Sequence, residues 1–327
     1  MTTASGGTLI YRKNMQLLRN GNSLPRVDEI RAELVRKVAA HARQEGENPT
    51  PVPWFRLYRR SAPLACTSTT YEPGLVIFAQ GRKRVHIGET TYTCDESTFL
   101  LTTIDLPVVS QIVEASAENP QLALLFQLDL SVVRKLLSEE EFRLTHSSSG
   151  TRGMAVGTTS REMLDASLRL VNLLDSPRDI PFLSRLLQQE ILYRLLHTPQ
   201  GQNLRAIATL GEQSNRVAKA VYWLRANYDQ PLRIEHLAEI AQMGISTLHH
   251  HFRQMTGMSP LQYQKRLRLH VARERMLHNG LDAARAAFEV GYESPSQFSR
   301  EYSRFFGLPP MRDVKTRRLE FTGAAGN

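Results

Sequence analysis

Apolar positions change their spacing twice along this 327-residue chain. From Val27 to Gln44, Ile30, Leu34 and Val38 recur every fourth residue, which is the stripe of an amphipathic helix, and Pro49, Pro51 and Pro53 end it. Residues 54–128 lose that period. Short β-rich runs take over (GLVIFA, KRVHIG, TTYTC, TFLLTTI and PVVSQIV), punctuated by Gly74, Gly81, Gly88 and Pro107. Short strands between turn signals predict a small barrel or sandwich. Helical spacing then returns. It marks Leu130–Glu141, Ser160–Asp175 through Leu164, Leu168, Val171 and Leu174, and Pro181–His197 through Leu183, Leu187, Ile191 and Leu195. These stripes either cover the barrel or form a dimer seam. Residues 198–212 read as a connection, and the chain from Asn215 to Phe306 reads as helix throughout.

Inside that helical end one pattern occurs twice, fifty residues apart. LAEIAQMGISTLHHHF (Leu237–Phe252) continues as TGMSP, and AFEVGYESPSQFSREY (Ala287–Tyr302) continues as FGLPP. Ala238 matches Ala287, so the second copy carries one extra residue in its turn. Each copy reads as helix, tight turn, helix, the arrangement that sets a second helix into a DNA major groove. Leu248 with Phe252, and Phe298 with Tyr302, are four apart and face inward together. That leaves Ser246, Thr247, His249 and His250 outward in the first copy, with Arg253 and Gln254 toward the backbone or neighbouring bases. Ser296, Gln297 and Arg300 are left outward in the second. Arg suits guanine and Gln suits adenine, so these side chains are candidates for reading sequence. Gly244 suits a turn of positive φ and also falls opposite Ser294, the expected N-cap of the second copy, where Pro295 follows as first helical residue.

Between the copies, LQYQKRLRLHVARERMLH contains no Gly or Pro and places Leu269, Ala272 and Met276 on one face. A rod of that length spans about 27 Å, close to the roughly 34 Å between successive major grooves on one face of a duplex. Lys265, Arg266, Arg268 and Arg273 along it are candidates for neutralising phosphates, a sequence-blind contribution, or for an ordinary solvated helix surface.

Charge sharpens this picture. The net charge is +9, and residues 213–327 hold seventeen basic against ten acidic side chains, so the excess lies in the repeat region and suits a polyanion. Other chemistries find little support. Cys66 and Cys94 are too few for a disulfide framework and suit a reducing cytosol; a thiol sensor is the alternative to buried filler. In the β-rich region His86, with Glu89 nearby, falls short of a metal's ligand set, so no metal and no cofactor is expected. His249, His250 and His251 point about 100° apart on a helix and cannot converge on one ion. The basic stretch Arg82 to Arg84 reads as a turn or as a seat for an anionic effector. No catalytic triad order, P-loop or dinucleotide glycine pattern occurs. No signal peptide or membrane span is expected, which points to the cytoplasm.

The repeated segments, the RLRLHVAR rod and the TGMSP and FGLPP continuations resemble the DNA-binding domain of AraC/XylS-type transcription regulators over residues 215–312. The chain departs from that pattern at Gly244 and Ile245, where the family has a more polar pair. Pro295 stands where some members carry a base-contacting residue, so that contact is expected to be absent. QGRK from Gln80, Tyr92, and DLPV from Asp105 resemble the cupin-like N-terminal region of one branch of the family. The resemblance implies an α+β protein: a cupin-like β-barrel with flanking helices, then an all-α domain with two helix-turn-helix motifs joined by a linker helix. With the composition of the ends and of the connection, the chain is expected to divide into a flexible tail over 1–24, an effector and dimerisation domain over 25–200, a linker over 201–214, a DNA-binding domain over 215–318 and a tail over 319–327. The implied partners are double-stranded promoter DNA, RNA polymerase, a small-molecule effector and a second copy as a homodimer, with no membrane. The implied role is activation of transcription without enzymatic activity. A cupin-type metal enzyme with an accessory helical domain, and a DNA-binding dimer without effector, stand as alternatives.

Overall fold

The computed structural model describes residues 26–138 and 152–323. The tail expected over 1–24 lies outside them, as do residues 324–327. In chain order the N-terminal half runs α1 (Val27–His41), β1 (Gly46–Pro49), β2 (Phe55–Arg60), β3 (Leu64–Tyr71), β4 (Gly74–Gln80), β5 (Arg82–Ile87), β6 (Thr90–Cys94), β7 (Thr98–Thr102), β8 (Leu106–Glu114), β9 (Gln121–Gln127), α2 (Leu130–Leu137), β10 (Met154–Thr158), α3 (Arg161–Leu173) and α4 (Ile180–Leu196). The strands form two antiparallel sheets, β1-β2-β9-β4-β7-β10 and β3-β8-β5-β6. Of the barrel or sandwich expected from the strand pattern, the strands take the second form, a jelly-roll-like pair of sheets rather than the one closed cylinder that the resemblance implied. The six-stranded sheet gains its last strand, β10, from beyond α2, against β7 with Met154 opposite Thr102.

Alternation along the strands fixes two apolar layers. Leu75, Ile77, Phe99, Leu101, Leu122 and Leu124 face the helices, and there Ile30, Leu34 and Val38 of α1 join Leu164, Leu170 and Val171 of α3 and Ile191 and Leu195 of α4. The helical stripes thus cover the sheet rather than wait for a partner. The stripe of α4 is incomplete, because Leu183, expected inside, is exposed. The opposite faces, through Phe78, Leu100, Val85, Leu106 and Val108, form the interior between the sheets.

The C-terminal half runs α5 (Gly201–Ala208), α6 (Gln213–Ala226), α7 (Ile234–Ala241), α8 (Ile245–Thr256), α9 (Pro260–His278), α10 (Ala283–Glu289), α11 (Pro295–Phe306) and α12 (Pro310–Gly323). The connection expected over 201–214 holds the helix α5, whose Leu204 and Ile207 are buried. The tail expected from residue 319 is partly helix, since α12 continues to Gly323.

The first helix-turn-helix does not stand apart from the sheets. Ile87, Ile104, Leu106 and Met154 belong to one apolar cluster with Val217, Leu237, Leu248, Phe252, Met255, Met258 and Tyr263. Polar contacts stitch the same seam. The Gly153 amide donates to the Met255 carbonyl at 2.9 Å, and the Tyr263 hydroxyl donates to the Asp105 carbonyl at 2.9 Å. Arg225 pairs with the buried Asp105 carboxylate and with Glu72 at 2.6 Å. Gly88 and Gly257 meet so closely that a Cβ on Gly88 would lie 2.8 Å from the Gly257 oxygen, and Gly257 has φ of +73°. The second helix-turn-helix packs on a separate core of Leu269, Ala272, Met276, Ala286, Ala287, Val290, Tyr292, Phe298, Tyr302 and Val314.

Candidate nucleic-acid interface

Each repeat folds as its local chemistry directs. In the first, α7 ends on Gln242 in the left-handed region at φ 53°, and α8 begins after Gly244. Of the two places open to Gly244, a positive-φ turn and the N-cap position opposite Ser294, it takes the second, with φ −67°, and the left-handed residue is Gln242. In the second repeat, Gly291 occupies the corresponding left-handed place at φ +84°, and any side chain there would strike the Asp229 carbonyl. The second recognition helix is the better capped: Ser294 accepts from the Gln297 amide, with Pro295 at the first position. Gly244 leaves α8 with no side-chain cap.

Leu248 and Phe252, and Phe298 and Tyr302, are fully buried. Their burial turns the opposite faces outward. Ser246, Thr247, His249, His250 and Arg253 on α8 are exposed, as are Ser296, Gln297 and Arg300 on α11. Exposed Ile245 stands at the start of α8 beside the polar group, an apolar side chain at the end from which such helices meet bases. Both faces are open to solvent, because the seam with the sheets takes the C-terminal end of α8, Met255 to Gly257, and leaves its N-terminal end free. Helix α9 connects the two units without a break over 19 residues, capped by Ser259 in a capping box with Gln262. That gives a rod of about 28 Å.

The four basic residues of α9 divide. Lys265 is half-exposed and pairs with Glu301 of α11 at 2.9 Å. Arg266 is half-buried with its guanidinium over the Phe305 ring, 5.6 Å from the centroid. Arg268 and Arg273, expected at phosphates, are spent inside the protein. Arg268 donates to the carbonyls of Tyr228, Asp229, Gln230 and Gly291. Arg273 lies buried 4.0 Å from the centroid of the Phe306 ring and donates to the Ser68 carbonyl of β3. The helix face that carries them is the one packed on its neighbours.

The pattern of outward residues passed over Glu301. Its carboxylate accepts from Lys265, from the Gln297 amide at 3.2 Å and from the Tyr292 hydroxyl at 2.9 Å. Partial burial works against its charge, yet the hydrogen bonds from Lys265, Gln297 and Tyr292 prevail and hold its pKa below the ordinary value. The signal was a Gln–Glu pair four residues apart on one helix.

Other candidates resolve simply. Cys94 is buried and its thiol is pushed up to about 12 by desolvation, which disfavours the reactive thiolate, while Cys66 is exposed. The His86 ring nitrogen meets the Thr91 hydroxyl at 2.8 Å. Arg82 pairs with Glu114 at 2.8 Å. Among the described residues no cluster of three or more potential metal ligands occurs, and no helix is long and apolar enough to cross a membrane.

Comparison with known proteins bears on both halves. The family described as "AraC-type transcriptional regulator N-terminus" matches residues 51–203, and a helix-turn-helix domain family matches residues 237–315. The HTH-type transcriptional regulator ArgR of Pseudomonas aeruginosa is 26% identical over 131 residues, 40% of each chain. The HTH-type transcriptional activator RhaS of Escherichia coli is 29% identical over 112 residues, 34% of this chain and 40% of RhaS. Each of these matches spans well under half of the relative's length. In fold, the chain is similar to ToxT from Vibrio cholerae, with a TM-score of 0.54 and 13% identity over 80% of this chain and 97% of ToxT. A ToxT structure with unsaturated fatty acid bound gives a TM-score of 0.52 at 11% identity, over 80% of this chain and 94% of that one.

Proposed function

This chain belongs to the AraC-type transcriptional regulators, and from that membership we propose that it binds a specific double-stranded DNA site and activates transcription from a nearby promoter. One observation carries the reading: two recognition helices, α8 and α11, expose polar N-terminal faces, and the two helix-turn-helix units that hold them are connected by one unbroken helix, α9. Ser246, Thr247, His249, His250 and Arg253 read one groove segment; Ser296, Gln297 and Arg300 read the next. Lys265, once parted from Glu301, and Arg266 contact the backbone between them. RNA polymerase is the partner that activation requires. Residues 25–200 form the effector and dimerisation unit, residues 215–318 the DNA-binding unit, and the protein works in the cytoplasm. The family is one of regulators rather than enzymes.

The effector is a small molecule acting on the N-terminal sheets. The shared core supports this reading, since whatever repacks the sheet interior also touches Met255 and Tyr263 of the first helix-turn-helix. A ToxT structure carries an unsaturated fatty acid, so apolar carboxylates form the first class to screen.

Selection of bound sequences from random duplex DNA by the full chain tests the function. A recovered site with two conserved blocks about one helical turn apart, bound in a salt-sensitive manner, is expected. Recovery of no common sequence would refute it. A thermal-shift screen separates an effector-responsive regulator from a DNA-binding dimer without effector, because a ligand of the native state raises the melting temperature by mass action.

A further inference from the structure

Glu301 sits on α11 one turn beyond Gln297, with its carboxylate turned back along the helix. One oxygen receives both the Lys265 ammonium, 2.9 Å away, and the Gln297 side chain, 3.2 Å away. The other receives the Tyr292 hydroxyl at 2.9 Å. Tyr292 is itself wedged against Phe298, ring centroids 5.3 Å apart, so the carboxylate is anchored to the core of the second helix-turn-helix rather than left to swing.

A carboxylate only accepts hydrogen bonds, so the Gln297 atom turned toward it is the amide nitrogen. The amide carbonyl oxygen is then the end of this exposed side chain that is left free to accept. An isolated glutamine on a recognition helix is free to turn its amide over; here one N–H is held by Glu301, which fixes which way round the amide sits and leaves its carbonyl as the unengaged acceptor. In the major groove adenine and cytosine offer an amino donor, whereas guanine and thymine offer only oxygen or nitrogen acceptors and a methyl group.

We infer that Glu301 is a positioning residue for base recognition: by holding the Gln297 amide nitrogen it makes the second recognition helix select adenine or cytosine at one position of the site. The inference rests on the DNA-reading function proposed above. Glu301 has a second effect. It occupies Lys265, so part of the positive charge on α9 is withheld from the phosphates until the pair is broken.

The test is sequence selection with the full chain and three variants. Gln297→Ala identifies the position that Gln297 reads. Glu301→Gln keeps the shape but donates as well as accepts, which frees the Gln297 amide to turn over. Glu301→Asp keeps a carboxylate and controls for damage to the helix. The wild type should prefer adenine or cytosine at the position relaxed by Gln297→Ala. Glu301→Gln should relax that same position about fivefold or more, and Glu301→Asp should retain the preference more fully. Release of Lys265 in Glu301→Gln should also steepen the salt dependence of binding by about one counterion. Guanine or thymine at the Gln297 position, or an unchanged preference in Glu301→Gln, would overturn the inference. A wild type that selects no sequence would instead remove the proposed function beneath it.

Discussion

Replacing Phe298 by Ala should unfold the second helix-turn-helix while leaving the rest of the protein standing. Phe298 is fully buried, packed against Tyr292 at 5.3 Å and Tyr302 at 5.4 Å between ring centroids. Loss of a buried Phe side chain costs about 3–5 kcal/mol through lost transfer energy and the cavity left behind. Whole domains are stable by only about 5–15 kcal/mol. Among the described residues the core around Phe298 has ten buried members and is separate from that of the sheets, so its share is small enough for that loss to open it locally. Leu248→Ala is the contrast. It costs about 2–5 kcal/mol, but its cluster extends through Phe252 and Met255 to Ile87, Leu106 and Met154. Hydrogen exchange followed by peptide separates the two. In Phe298→Ala, amides of α10, α11 and α12 should lose protection while those of β4, β7 and β9 keep it. In Leu248→Ala, protection should fall in α7 and α8 and also in β5 and β8. Equal loss across the whole chain in Phe298→Ala would refute the separation of the two cores.

Three further outcomes follow from the same structure. Arg300→Ala should weaken binding to the selected site by roughly 1–3 kcal/mol and relax one base position; uniform weakening on all sequences would show a phosphate contact instead. Arg225→Ala strands the Asp105 carboxylate, which is 1% exposed against 41% for Arg225. Because water screens the arginine end, the cost in urea unfolding should be about 1–3 kcal/mol, below the roughly 3–5 of a fully buried pair, and Asp105→Asn in the same chain should recover part of it. No change in the unfolding midpoint would remove that pair as a clamp. His270 is buried, and desolvation together with Arg273, Arg266 and Arg317 pushes its pKa down to about 3. Unfolded histidine titrates near about 6.5, so the unfolded chain takes up the proton first as pH falls. This contribution is complete above that value and is lost on acidification, about 2 kcal/mol by pH 5. His270→Gln should therefore lose less stability than wild type between pH 7 and pH 5, and parallel losses would count against it.

Much of the site could be read from residue order because a repeat supplies its own control. Phe252 and Tyr302 share an offset, so the inward face of one copy predicts that of the other, and the outward residues follow by exclusion. Helical spacing similarly located α1, α3 and most of α4. What stayed hidden depends on contacts between segments distant in sequence. Arg268 and Arg273 look like any basic residue on an amphipathic rod; only the Tyr228–Gln230 turn and the Ser68 carbonyl, 38 to 205 residues away, show that they face inward. β10 is five residues, Met154–Thr158, that become a strand by pairing with β7 rather than by alternation of their own. The left-handed turn of the first copy falls on Gln242, which corresponds to Gly291 only when the extra residue of the second copy is placed after that position, so the fifty-residue offset alone did not pair them.

The seam that joins the sheets to the first helix-turn-helix limits how this protein can be taken apart. A fragment beginning at Gln213 would carry Met255, Met258 and Tyr263 without Ile87, Leu106 and Met154, the sheet side of their cluster, and would bare apolar surface that the full chain covers. Exchange of sensors between relatives faces the same obstacle: a transplanted sensor must bring its own match for the Gly257 corner, or the chimera inherits an open wound.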